Sequence, residues 1–76
     1  MSITVSAIWD PDAEVWVATS DDVPGLATEA PTMEALRAKI EAMIPELLEL
    51  NRGLDEHDRV VPLTMKYEEH CMLRIA

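Results

Sequence analysis

The chain has 76 residues, one cysteine and a formal net charge of −9. That is the size of one domain, residues 1–76, which buries only roughly 60% of the surface its unfolded chain exposes. The lone Cys71 excludes an internal disulfide, and the acidic balance excludes phosphate-backbone binding of the kind that runs on Lys and Arg.

Ile3, Val5, Ala7 and Trp9 alternate with Ser2, Thr4, Ser6 and Ile8. Period-two alternation with β-branched residues predicts a first strand. Asp10-Pro11-Asp12-Ala13 then reads as a turn, because Pro presets φ and Asp bonds nearby backbone. Val15 to Thr19 forms a second strand, and the short polar connection makes the two a hairpin. A second turn spans Ser20 to Gly25. Pro24-Gly25 suits the centre of a type II turn, which needs positive φ at its second central position. Leu26 to Glu29 is a short third strand.

Pro31-Thr32 opens a helix, with Thr32 as N-cap and Glu34 in the first turn, where the helix dipole favours an acid. Leu36, Ile40, Met43, Leu47, Leu50 and Leu54 recur at intervals of three and four and make one apolar stripe. Ile44 and Leu48 flank it; they either widen the core face or form a subunit contact. Pro45 lies inside the helix, pointing away from the stripe, and should bend it around a sheet. Arg52-Gly53 is the expected stop. After a charged loop to Arg59, Val60 to Tyr67 reads as a strand with Pro62 near its start. Glu68-Glu69-His70 breaks the pattern and Cys71, Leu73 and Ile75 resume it, as one long bulged strand or as two. The order is β-β-β-α-β: an α+β domain with an antiparallel sheet and one long helix on one face.

Little in this chain assembles chemistry. The carboxylate pairs Asp10/Asp12, Asp21/Asp22, Asp55/Glu56 and Glu68/Glu69 sit mostly in predicted turns and loops, where acids are normally solvated. His57, Asp58, His70 and Cys71 lack metal-ligand spacing, and the plainer reading is a polar loop and a buried thiol. With Gly25 and Gly53 alone there is no glycine-rich phosphate loop. We therefore expect no enzyme, cofactor or metal. What stands out is charge placement: residues 1–36 carry seven acids (Asp10, Asp12, Glu14, Asp21, Asp22, Glu29, Glu34) and no Lys or Arg. Such a surface would draw in a basic partner. Trp9 and Trp16 are expected to be cross-strand neighbours. If Val15 and Val17 face the helix, Trp16 stands on the outer face, where tryptophan is an enriched contact residue.

Asp10, Val15-Trp16-Val17-Ala18, Asp22-Val23-Pro24-Gly25-Leu26, Thr28-Glu29-Ala30 and Pro31-Thr32 together resemble the N-terminal domain of HicB-like antitoxins, over roughly residues 3–51. The resemblance implies a β-β-β-α-β domain that associates as dimers or higher homo-oligomers and masks a small basic toxin that cleaves messenger RNA. Many such proteins append a DNA-binding module; here only about twenty residues follow Leu54, too few for one plus the closing strand. Direct nucleic-acid binding is thus not expected here.

The reading is a non-catalytic protein-binding module, with Asp10, Asp12, Trp16, Asp21 and Asp22 as contacts and Pro24 and Gly25 as the structural turn. The alternatives are an orphan oligomerisation domain or a small-molecule hydrolase using the turn carboxylates. No stretch reaches the roughly 18 apolar residues of a membrane span, and the N-terminus lacks a basic, apolar signal pattern. A cytoplasmic location without membrane contact is expected.

Overall fold

A computed structural model describes residues 2–51 and 60–76. β1 (Ile3–Asp10), β2 (Val15–Thr19), β3 (Ala27–Ala30), α1 (Met33–Asn51) and β4 (Leu63–Glu68) follow in that order. The strands form one sheet, ordered β3-β2-β1-β4, with α1 packed on one face. The expected stop at Arg52-Gly53, the Leu54 end of the stripe, and the loop bearing His57 and Asp58 lie outside the described residues.

The first three strands are an antiparallel meander, as expected. β4 instead pairs parallel to β1, Ile3 with Leu63 through Ile8 with Glu68, so the sheet is mixed and the antiparallel expectation is corrected. The cause is the crossover. A 19-residue helix is roughly 28 Å long at 1.5 Å per residue, enough to return the chain to the end where β1 began.

Local signals hold. The Thr32 hydroxyl accepts from Ala35 N at 3.0 Å, an N-cap. Leu26 N donates to Val23 O at 3.1 Å across Pro24-Gly25, and Gly25 has φ +87°, as a type II turn demands. That turn buries Val23 and Leu26 in the core, so it anchors the sheet as well as reversing the chain. A Cβ at Gly25 would meet Leu47 at an ordinary 3.5 Å, so Gly25→Ala is penalised by backbone strain and not by a clash. A loss of about 1–2 kcal/mol is expected, lowering the melting temperature by roughly 5–10 °C without changing the circular dichroism spectrum.

The helix face is centred differently from the stripe. Leu36, Ile40, Ile44 and Leu48 are buried, Met43 and Leu47 only partly so, and Leu50 is exposed. Ile44 and Leu48 are therefore core, the first of the two readings. A four-residue ridge lies on the sheet, and Pro45 is on the solvent side. From the sheet, Ile3, Val5, Ala7, Trp16, Ala18 and Ala30 face it.

Candidate functional site

The expected contact residues do not come together. Asp10 and Asp12 belong to the β1–β2 hairpin. Asp21 and Asp22 belong to the turn before β3, at the other end of the sheet, where Thr4 N donates to Asp22 Oδ2 at 2.8 Å. Six steps along β1 separate Thr4 from Asp10, or roughly 20 Å. Two of the four carboxylates are also engaged locally. Asp10 Oδ1 accepts from Asp12 N and Ala13 N at 3.0 and 3.2 Å. This Asx turn leads the chain to Glu14, whose φ of 56° completes the reversal. Asp22, with Ser20, pins the other turn to β1: Asp22 N donates to Ser20 Oγ, and Ser20 Oγ donates to Thr4 O at 2.6 Å. Asp12 and Asp21 are exposed.

Trp16 is a correction. It is 7% exposed and points to the helix side, while Val17 takes the outer face. The strand pairing sets this orientation. Trp16 lies opposite Trp9, their rings 5.3 Å apart, and its other edge meets Tyr67 at 5.3 Å and 86°. Between them in the sheet sits Ala7, in register with both Ala18 and Tyr67, whose small side chain leaves room for the indole. Trp16 is therefore a core residue, and the cross-strand tryptophan pair is as expected.

Two surfaces emerge instead. On the outer face a row crosses all four strands: Glu29, Val17, Ile8 and Glu68 are successive partners. Ile8 is 51% exposed and Val17 36%, so an apolar centre is flanked by two exposed carboxylates. Asp10 lies one step along β1 on the same face. The signal in the sequence was Ile8 itself, an apolar residue in the polar phase of its strand. On the helix side, α1 lies over β2 and β3, leaving a groove of about 710 Å³ between its first turns and β4. Val61, Leu63, Met65 and Tyr67 form its floor. Met33 and the exposed Arg37–Glu41 ion pair (2.8 Å) form its wall.

Beyond Glu68 the chain leaves the sheet. Residues 69–76 are exposed and outside any strand, with Met72 99%, Leu73 81% and Ile75 87% exposed. Cys71 is exposed too, which corrects the buried-thiol reading. It has no apolar neighbour layer to enter, because its segment has no partner strand. Among the described residues, no three His, Cys, Asp or Glu side chains converge as metal ligands, and no helix is long and apolar enough to cross a membrane.

The family whose pattern matches is described as a domain of unknown function (DUF1902), over residues 2–75. A solved structure that resembles the chain is the crystal structure of a hypothetical protein from Thermus thermophilus, an extremely thermophilic bacterium. It is 48% identical, the match covers 99% of this chain and 100% of that one, and the TM-score is 0.71. No curated protein matches.

Proposed function

The chain belongs to the family described as a domain of unknown function (DUF1902), and from that premise we propose that it is a non-catalytic protein-binding module. The observation that carries the reading is the outer-face row, Ile8 and Val17 between Glu29 and Glu68. Apolar side chains at the centre with charge at the rim is the anatomy of a binding face. Among the described residues the rim holds Glu29, Glu68 and Asp10 against a single Lys66, the chain carries −9 overall, and the partner it fits is basic. A small basic RNA-cleaving toxin, the partner that the HicB-like turn residues imply, is of that kind. The absence of catalysis is supported by the scattering of the carboxylates: two turns at opposite ends of the sheet cannot serve one substrate. An exposed unpaired thiol at Cys71 fits a reducing cytoplasm.

The test is retention of a basic partner from the native host at low salt by the tagged chain, against a variant carrying Ile8→Lys and Val17→Lys. Both side chains are on the surface, so the variant should fold. The wild type should hold a small basic protein about tenfold more tightly, and added salt should weaken the complex. Recovery of the chain alone would overturn the antitoxin reading and leave a self-associating domain.

A further inference from the structure

Among the described residues β4 is an edge strand with one row of backbone groups unpaired, and an edge of this kind is a template for another strand. Its helix-side residues Leu63, Met65 and Tyr67 are only half covered, over the groove. The same chain then carries Cys71, Leu73 and Ile75, at the same odd-numbered phase, into solvent. The molecule measures 56 Å along one axis against 20 and 19 Å along the others. An extended run of fourteen residues, 63–76, accounts for up to roughly 46 Å. Residues 69–72 contain no Gly, Pro or Asn, so this arm has no turn with which to fold back onto its own groove.

We propose that the occupant of the groove is the arm of a second copy, and that two copies exchange residues 69–76 reciprocally. Residues 63–76 of each copy run antiparallel to one another about a two-fold axis at Glu69. Directly opposite residues then number to 138. Leu63 meets Ile75 of the second copy, Met65 meets Leu73 and Tyr67 meets Cys71, so each apolar arm residue covers an apolar groove residue. On the other face Glu68 meets His70 of the second copy, opposite in charge once His70 is protonated; within one chain these two already lie 2.6 Å apart. This register sets Glu69 against Glu69 of the second copy at the axis, a like-charge contact, and makes three apolar pairs; a shift of two residues in either direction places Glu69 against Cys71 or against Tyr67 and keeps only two apolar pairs. A shift of one puts the groove residues opposite Met72 and Arg74. The arm and the strand are also of matching length, six residues in β4 against the six of 70–75. The contact is isologous and closes after two copies, giving an eight-stranded sheet with both helices on one face.

The inference concerns the edge of the sheet and not its outer face, and the purified chain alone decides it. Light scattering or sedimentation at micromolar concentration should give twice the chain mass of 8.5 kDa. Leu73→Asp with Ile75→Asp alters side chains that are exposed in the single chain. The variant should keep its circular dichroism spectrum while its dimer dissociation constant rises by about a hundredfold or more. A monomeric wild type, or a variant as dimeric as the wild type, overturns the exchange. Tyr67→Cys reads the register. Residues 67 and 71 of one extended strand lie roughly 13 Å apart, beyond the ~7 Å that a disulfide spans between Cα atoms. Mild oxidation should therefore link Cys71 to the introduced thiol only between copies, and a dimer that stays unlinked overturns the register.

Discussion

Trp16→Ala should remove a large share of the domain's stability and shift its urea midpoint sharply downward. A chain of 76 residues has a total stability of about 4–11 kcal/mol at ~0.05–0.15 kcal/mol per residue. Truncating a buried tryptophan costs about 3–5 kcal/mol. Here the cost belongs at the upper end, because the indole holds two aromatic contacts at once, with Trp9 and with Tyr67. Those rings come from β1 and β4, so losing Trp16 loosens the sheet across three strands. Ala7 and Ala18 beside it are too small to close the gap. Urea unfolding read by far-ultraviolet circular dichroism measures the effect, and Trp16→Phe should recover much of the loss. A Trp16→Ala domain with an unchanged midpoint that fails only in partner binding would contradict the placement of this side chain in the core.

The second large effect is at Ile40, at the middle of the buried helix ridge and 0% exposed. Ile40→Ala should cost about 2–5 kcal/mol, whereas Ile40→Val should cost about 0.5–1.5 kcal/mol. The spread in the first figure reflects how far the helix can settle. Lys39 Nζ donates to Glu29 O at 2.7 Å, and Asn51 donates to Pro24 O at 2.9 Å. The helix is thus tied to β3 at one point and to the type II turn at another, which resists collapse into the cavity and favours the larger loss. The urea midpoint should fall in the order wild type, Val, Ala. Leu50→Ala is the contrast: its side chain is 83% exposed, and the change should stay within about 0.5 kcal/mol.

Where a local rule was sufficient, the sequence was legible. Val23-Pro24-Gly25-Leu26 could hardly be anything other than its turn, because positive φ at Gly25 and a preset φ at Pro24 are written into single residues. Thr32 and the helix after it are of the same kind. Where a choice depended on what lay across the core, the sequence was silent. The helix carries two adjacent apolar ridges, and only the sheet beneath decides that Ile44 and Leu48 are central while Leu50 is not. Val15-Trp16-Val17 has no polar member, so alternation could not say which face Trp16 takes. Strand direction leaves no mark on alternation, and β4 was assigned to the sheet without its parallel sense. The candidate contacts suffered most. Asp10 and Asp22 are turn-forming residues whose carboxylates are spent on backbone amides, and an acid in a turn looks the same in sequence whether it serves a partner or the chain itself.

The parallel pairing of β1 with β4 has a further meaning for how the protein comes into being. Ile3 finds Leu63 across about sixty residues, so β1 waits for a segment made long after it. During synthesis the hairpin, the turn and the helix can form while one side of β1 stays open. Contacts of such long range close slowly compared with local ones. A growing chain therefore exposes, for most of its assembly, a strand edge bearing Val5 and Ala7, residues that end fully buried. That interval is when neighbouring nascent chains compete for the seat of β4. A shortened product lacking the final strand should be recovered as aggregates and not as a smaller folded domain.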